Sequence, residues 1–230
     1  MSAFLSFFNV NTIAFTLFHY PMSWLELVGT VFNIWCVWLA ARKNIWTWPI
    51  GLVGIICYLF LFYQIQLYSD LFEQVYFFIM TFYGWWIWAR KPKQNEPSFV
   101  LMLTRGYRWI WGIGILAASF ALTYFTSHLS LWFPVQFPQS ASYPFLDAFT
   151  TIMSFAATYL MAKRYWDCWP LWITVDVIGI GLYFVKQVKF ISLEYALFLI
   201  LAIAGSLEWR KTWKTHRAQS YVKQTSKVEI

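Results

Sequence analysis

Seven long apolar segments divide this chain, and four of the six stretches between them contain Lys or Arg. Each segment reaches the roughly 17–25 residues that a helix needs to cross the hydrocarbon of a bilayer. They lie near 24–41, 48–67, 70–89, 108–127, 146–162, 170–188 and 192–209. Hydrophobic residues make up 60% of the chain and charged residues 12%, about half the charged share of a soluble domain. The pattern predicts an all-α polytopic membrane protein with seven transmembrane helices.

The N-terminal stretch, residues 1–20, is apolar but is interrupted by Asn9 and Asn11. An apolar segment with polar interruptions is typical of a helix that lies in the membrane interface. We therefore predict an interfacial helix here, with an additional span as the alternative. The stretch lacks the basic start and small-residue cleavage site of a signal peptide.

The basic residues set the predicted orientation. Of the 17 Lys and Arg residues, all except Lys186 and Lys189 fall on the side where spans 1, 3, 5 and 7 end. Cytoplasmic loops carry the excess of Lys and Arg, so this side, including the basic tail 211–230, is predicted to be cytoplasmic. Because the charges separate apolar segments and do not follow one face, they predict a lipid bilayer partner and no nucleic acid.

The two halves of the chain match when one is shifted by 121 residues, without a gap. The matched positions include Trp48 with Trp169, Glu73 with Glu194, Gly84 with Gly205, and Trp88 with Trp209. The matching units are the three-helix segments 24–90 and 146–210, joined by 91–145, which holds the fourth span. Because that span restores the chain direction, the repeats are predicted to be parallel, an architecture found in transporters.

No enzyme signature accompanies the spans, so we predict no catalytic residues and no cofactor. The three cysteines, Cys36, Cys57 and Cys168, lack metal-ligand spacing, and their odd number suits reduced thiols. The seventh span has no lysine with which to form the Schiff base of a retinal photoreceptor. The remaining interpretation of seven spans is transport or ligand sensing.

Polar side chains inside the spans are the candidate binding residues. On span 6 they share one helical face, because spacings of three, four and seven recur on one side of a helix: Trp169, Trp172, Asp176 and Tyr183. The other candidates are Asn33, Gln64, Gln74, Thr151 and Ser154. An acid inside a span is costly, so Asp176 has either a structural hydrogen bond or a ligand. Indoles, a carboxylate and amides together suit a flat, cationic, hydroxyl-bearing ligand.

Several segments carry a family resemblance. The stretch FYQIQLYSDLFEQVYFFIMTFYGWWIWAR at 62–90, WLELVGT at 24–30, FLDAFTTIMSFAATYLMAKRY at 145–165 and WPLWITVD at 169–176 resemble PnuC-type nicotinamide riboside transporters. The resemblance implies a trimeric transporter of the bacterial inner membrane with a SWEET-like 3+1+3 fold. It also implies facilitated diffusion by alternating access, with phosphorylation inside the cell trapping the imported riboside.

Two positions depart from the family pattern. Asp176 stands where relatives often carry Asn, and Glu73 stands where they often carry an apolar residue. The extra acid favours a cationic ring, or it signals another vitamin, such as thiamine or riboflavin. A membrane sensor that signals through residues 210–230 is the other alternative.

Overall fold

The computed structural model describes residues 8–17, 20–64, 68–90, 99–132, 143–185 and 189–225. Within those ranges the chain forms seven α-helices and one two-stranded sheet. The helices are α1 (Trp24–Ala41), α2 (Thr47–Gln64), α3 (Tyr68–Ala89), α4 (Arg105–Trp132), α5 (Pro144–Ala162), α6 (Cys168–Val185) and α7 (Lys189–Thr225). Every predicted span therefore contains a helix. The last one is much longer than its span, and 65–67 and 186–188 of the predicted spans lie outside the described residues.

Six of the seven helices are long and apolar enough to cross a membrane, by length and composition. The exception in the described chain is α3, which has the necessary length at 22 residues. Its N-terminal half carries Asp70, Glu73 and Gln74, and these side chains lower its mean hydropathy. The sequence predicts seven apolar spans, and six of the corresponding helices are apolar enough to cross a membrane.

The predicted N-terminal helix is wrong for the described part of that stretch. Ile13–Leu17 (β1) and Tyr20–Ser23 (β2) form an antiparallel hairpin. Aromatic and β-branched residues favour strands, and the Asn9 side chain accepts a hydrogen bond from the Asn11 backbone N–H, which turns the chain before β1. Residues 1–7, 18 and 19 of the prediction lie outside the described residues.

The helices pack in chain order. Helix α1 packs on α2 and α2 on α3; α5 packs on α6 and α6 on α7. We call α1–α3 the first helix group and α5–α7 the second. The groups meet where α1 packs against α7 and α3 against α5, while α4 packs against α5. The two contacts between groups therefore use corresponding helices of each.

The two ends of the helix assembly differ in charge. The end with the turns 42–46 and 163–167, which contain Arg42, Lys43, Lys163 and Arg164, is called the basic end. The opposite end is called the acidic end, because α1, α3 and α5 each begin there with an acid in the first turn. An acid in that position is stabilised by the helix dipole.

A Trp–Gly contact occurs at matching positions of both groups. The ring of Trp48 on α2 lies against Gly84 of α3, and the ring of Trp169 on α6 lies against Gly205 of α7. Each ring also meets a second indole edge-on, Trp48 with Trp88 at 5.3 Å and Trp169 with Trp209 at 5.6 Å. The matches seen in the sequence thus correspond to equivalent packing.

Candidate functional site

Three polar groups between α3 and α6 have no partner in the described chain. Asp176 on α6 is 4% exposed, and no hydrogen bond to its carboxylate occurs among the described residues. Trp172, one turn earlier, has a buried indole Nε1 that likewise lacks a partner there. Gln74 on α3 is 8% exposed, and its amide has no hydrogen bond within the same ranges. Buried polar groups normally pair with protein or water, so this set is suited to a ligand.

One ring contact places these groups at similar depth. Phe77 on α3 and Trp172 on α6 have ring centroids 6.5 Å apart. Helices α3 and α6 run in opposite directions, so Gln74 and Asp176 both lie about one turn from this contact, toward the acidic end. Asp176 is about 12 Å along α6 from Cys168. Trp172, Asp176 and Gln74, three of the candidate residues from the sequence, therefore lie at similar depth in the helix assembly.

Trp169, which the sequence places on the ligand face, lies in a different contact from Trp172. Its side chain is fully buried in the contact between α6 and α7. Gly205 lies against one part of the ring and Trp209 meets the ring at an interplanar angle of 82°. The spacing of Trp169 from Trp172 indicated a shared face, but α7 covers Trp169 completely. The Trp169 ring therefore packs between α6 and α7, and its indole Nε1, like that of Trp172, has no partner in the described chain.

Tyr183 lies near the acidic end of α6. Its ring stacks on Tyr195 of α7 with centroids 5.4 Å apart. Tyr195 in turn occupies the space beside Gly179, where an added Cβ would lie 2.5 Å from the ring. Tyr183 is therefore two turns beyond Asp176 and forms part of the α6–α7 contact at that end.

The α5 candidates lie across from α3. Ser154 is 5% exposed and lies near the Glu73 carboxylate of α3. Because Glu73 directly precedes Gln74, Ser154 lies beside the part of α3 that carries the amide. Thr151 is half-buried one turn earlier on α5. These residues are adjacent to the Gln74 side of the candidate site.

Gln64 and Asn33 are not part of this group. The Gln64 amide donates to the backbone oxygens of Phe8 and Phe60, and it accepts from the backbone N–H of Val10. It therefore ties the N-terminal segment to the end of α2, and its amide is already hydrogen-bonded within the described chain. Asn33 packs against Gly54 where α1 meets α2.

A hydrogen-bond network at the acidic end was not predicted as a unit. The Tyr58 hydroxyl on α2 donates to Glu194 of α7 at 3.0 Å, and it shares a bond of 2.8 Å with the Thr30 hydroxyl of α1. Through the Tyr58 hydroxyl, Glu194 of α7 is thus linked to α1 and α2 of the first helix group. The sequence signal was the match of Glu73 with Glu194 in the repeat.

A second acid at this end is held by the hairpin. The Tyr20 hydroxyl donates to Glu26 at 2.8 Å, and Ser23 caps α1 by accepting from the Glu26 backbone N–H. Burial raises the pKa of the Tyr20 phenol well above its usual value, and the bond to Glu26 raises it further. The hairpin therefore anchors the start of α1.

An apolar cavity of about 450 Å³ lies between α3, α4 and α5. Its lining includes Trp111, Gly114, Ile152 and Phe155. It contains none of the three unpartnered polar groups, and its lining is mostly apolar, so it offers few hydrogen-bonding atoms to fix the orientation of a polar ligand. The polar group around Asp176 is the better candidate.

The helices define a multi-pass membrane protein, and the group of Trp172, Asp176 and Gln74 is its candidate site. Residues 23–211 match the family model for the nicotinamide mononucleotide transporter. The chain belongs to this family, and it is therefore a membrane transporter and not an enzyme.

Individual relatives agree with this assignment. The nicotinamide riboside transporter PnuC of Escherichia coli is 31% identical over 206 residues, covering 83% of this chain and 86% of the relative. The riboflavin/roseoflavin transporter RibM of Streptomyces davaonensis is 25% identical over 211 residues, covering 92% and 94%. A crystal structure of the vitamin B3 transporter PnuC matches with a TM-score of 0.63 and 26% identity, covering 84% of this chain and 83% of that one.

Proposed function

We propose that this protein carries nicotinamide riboside across the membrane, with Asp176, Trp172 and Gln74 as its central binding residues. The observation that carries the proposal is the buried Asp176 carboxylate, which has no hydrogen-bond partner in the described chain. A buried charge without a partner is strongly unfavourable. A cationic substrate would supply that partner each time the site is occupied. The similarity to nicotinamide riboside transporters supports the same substrate.

The chemistry of the substrate fits the group. Nicotinamide riboside carries a positively charged pyridinium ring, a carboxamide and ribose hydroxyls. The Trp172 indole would attract the ring by a cation–π interaction, and Asp176 would offset its charge. The Trp172 N–H and the Gln74 amide would bond the carboxamide or the hydroxyls. Thr151 and Tyr183 would flank the site, while Ser154 would hold Glu73 and so position Gln74.

We further propose that the helix groups are parallel three-helix repeats, with α4 as the linker of a SWEET-like 3+1+3 fold. The equivalent packing of Trp48 on Gly84 and Trp169 on Gly205 supports this arrangement. Helix α3 would span the membrane with the others, since it packs between α2 and α5. Rocking of the groups would expose the site to either side in turn, with no coupling ion.

The membrane setting follows the charge distribution. The basic end would face the cytoplasm of a bacterial inner membrane, with the C-terminus on that side. The protein would assemble as a homotrimer. The exposed apolar face of α4, which includes Trp109, Ile113 and Phe120, would contact lipid or a neighbouring subunit.

Riboflavin is the second candidate substrate, because RibM matches almost the whole chain. Its isoalloxazine ring is neutral at pH 7 and would gain nothing from the Asp176 charge. The Asp176 carboxylate therefore favours the cationic riboside.

The test compares ligands on the purified protein. Isothermal titration with nicotinamide riboside, thiamine and riboflavin should give clear binding of the first. The neutral dihydronicotinamide riboside is the matched ligand control. Asp176→Asn should weaken binding of the cation by about tenfold or more, as expected for a lost charged hydrogen bond, and should affect the neutral form much less.

A matched variant is Asp147→Asn, which removes a carboxylate from the first turn of α5 at the acidic end. It should leave the affinity for the cation nearly unchanged. Clear binding of riboflavin or thiamine without binding of the riboside would overturn the substrate. Equal affinities of Asp176→Asn and the unaltered protein would return Asp176 to a structural role.

A further inference from the structure

Two indoles at the basic end make the same bond across the two helix groups. The Trp209 Nε1 of α7 donates to the backbone oxygen of Ala40 on α1 at 3.0 Å. The Trp88 Nε1 of α3 donates to the oxygens of Ala162 and Met161 on α5 at 3.2 and 3.3 Å. Ala40 and Met161 are matching positions of the repeat. Each group thus holds the end of the first helix of the other group.

Two basic residues repeat the pattern beside the indoles. Lys43 and Arg164 both have left-handed backbones, with φ of 58° and 63°, where glycine is usual after a helix and other residues are strained. Lys43 Nζ donates to Glu208 of α7 at 2.8 Å. Arg164 Nη2 donates to the backbone oxygen of Ile87 on α3 at 2.8 Å. Ile87 and Glu208 are again matching positions, so strained turns aim both cations at the opposite group.

One aromatic residue breaks the symmetry. Phe99 meets Trp88 edge-on at 5.1 Å and Trp209 edge-on at 6.2 Å, so it fills the space beside both indoles. The Arg164 guanidinium lies 4.7 Å from its ring centre. The next residue, Val100, is fully buried. In the second group α7 continues as a helix past Trp209 to Thr225, so within the described residues no aromatic side chain follows it in the position that Phe99 takes after α3.

The segment 99–103 is fastened to the second group. Its backbone pairs with the α5–α6 turn through Leu101 N to Arg164 O at 2.9 Å and Trp166 N to Leu101 O at 2.8 Å. Asp167 accepts from the Leu103 N–H at 2.8 Å and from Arg108 Nε at 2.6 Å. Phe99 therefore moves with the second group, and its contact with Trp88 is the one that opening must break.

We propose that these contacts form the cytoplasmic gate of the transporter, with paired clamps at Trp88 and Trp209 and a single wedge, Phe99, that leaves Trp88 when the gate opens. The proposal rests on the transport function and orientation given above. The gate is closed in this structure. Opening requires the indole and cation bonds on both clamps to break together, because each clamp joins the same two bodies.

A reversible cross-link tests the clamps. Lys43→Cys with Glu208→Cys, bridged by a bis-methanethiosulfonate reagent, should lower riboside uptake into proteoliposomes by about tenfold or more, and reductant should restore it. The matched control bridges Lys211→Cys with Thr215→Cys, a pair one turn apart on α7 at the same end, which lies within one body. Its cross-link should leave uptake unchanged. Uptake that persists through the Lys43–Glu208 bridge would overturn the gate.

A second measurement needs no substrate. Thr81 lies two turns deeper on α3 than Trp88 and is 5% exposed, so Thr81→Cys reports access past the gate. An impermeant maleimide added to the basic side should label it about three to ten times faster after Phe99→Ala or Trp88→Phe, the gain expected from one lost hydrogen bond or packing contact. The labelling of the native cysteines is measured on the protein that keeps Thr81, and it is subtracted as background.

Phe120→Ala on the exposed face of α4 is the control and should leave labelling unchanged. Equal rates in Phe99→Ala and in the control would refute the wedge. If labelling rises as expected but the unaltered protein neither binds nor carries the riboside, the proposed substrate fails and the gate stands.

Discussion

Gly205→Ala tests the Trp–Gly packing directly. An added Cβ at Gly205 would lie 2.6 Å from Cζ2 and 2.7 Å from Cζ3 of Trp169, about 1 Å closer than carbon atoms pack. Trp169 is fully buried, so its ring cannot swing away without moving Trp209. Overpacking of this kind costs about 1–3 kcal/mol, and the better helix propensity of Ala returns up to about 1 kcal/mol.

The net loss should be about 1–2 kcal/mol of unfolding free energy, which for a chain of this size lowers Tm by about 2–8 °C. Gly84→Ala should give a similar loss, because its Cβ would lie 2.5 Å from Cζ3 of Trp48. The control is Gly112→Ala on α4, where no atom lies within 4 Å and the change should be neutral or stabilising. Thermal unfolding in detergent measures all three. A Tm for Gly205→Ala equal to that of Gly112→Ala would refute the packing argument.

Three further predictions follow from other contacts. Gln64→Leu removes the amide that holds residues 8–10, so hydrogen exchange there should accelerate while riboside affinity stays unchanged; a loss of affinity would restore Gln64 to the binding site. Asp167→Asn should loosen the segment 99–103 and raise trypsin cleavage after Arg105 several-fold, and an unchanged cleavage rate would contradict the anchoring role of Asp167. Tyr58→Phe removes the hydroxyl that bridges α1, α2 and α7, so hydrogen exchange at the start of α7 should rise; equal protection in both proteins would show that the bridge is dispensable.

The sequence predicts the helices well because long apolar segments leave the backbone few alternatives in a membrane. The prediction fails at strands β1 and β2, where local strand preference and the turn at Asn9 prevail over overall hydrophobicity. It also misses the 37-residue length of α7, since the polar tail continues the helix beyond the apolar segment. Apolar length indicates where a helix crosses, but it does not indicate where the helix ends.

For the site, helical spacing identifies which side chains share a face but not which neighbour covers that face. Trp169 and Trp172 lie one turn apart, and neither indole N–H has a partner in the described chain. Helix α7 nevertheless buries the Trp169 ring against Gly205, whereas the Trp172 ring meets Phe77 of α3. Gln64 differs from Gln74 for a similar reason, because the N-terminal segment folds back onto α2 and uses its amide. Contacts between distant segments decide these cases.

The length of α7 has a mechanical consequence. The helix continues from Trp209 to Thr225, a distance of about 24 Å. The packing of Trp169 on Gly205 holds α7 to the second helix group. A rotation of that group by about 10° would move the far end of the helix by about 4 Å. The end of the C-terminal helix would therefore move farther than the rest of the second helix group. The distance between a fluorophore at that end and one on the α1–α2 turn would report each transport cycle in single molecules.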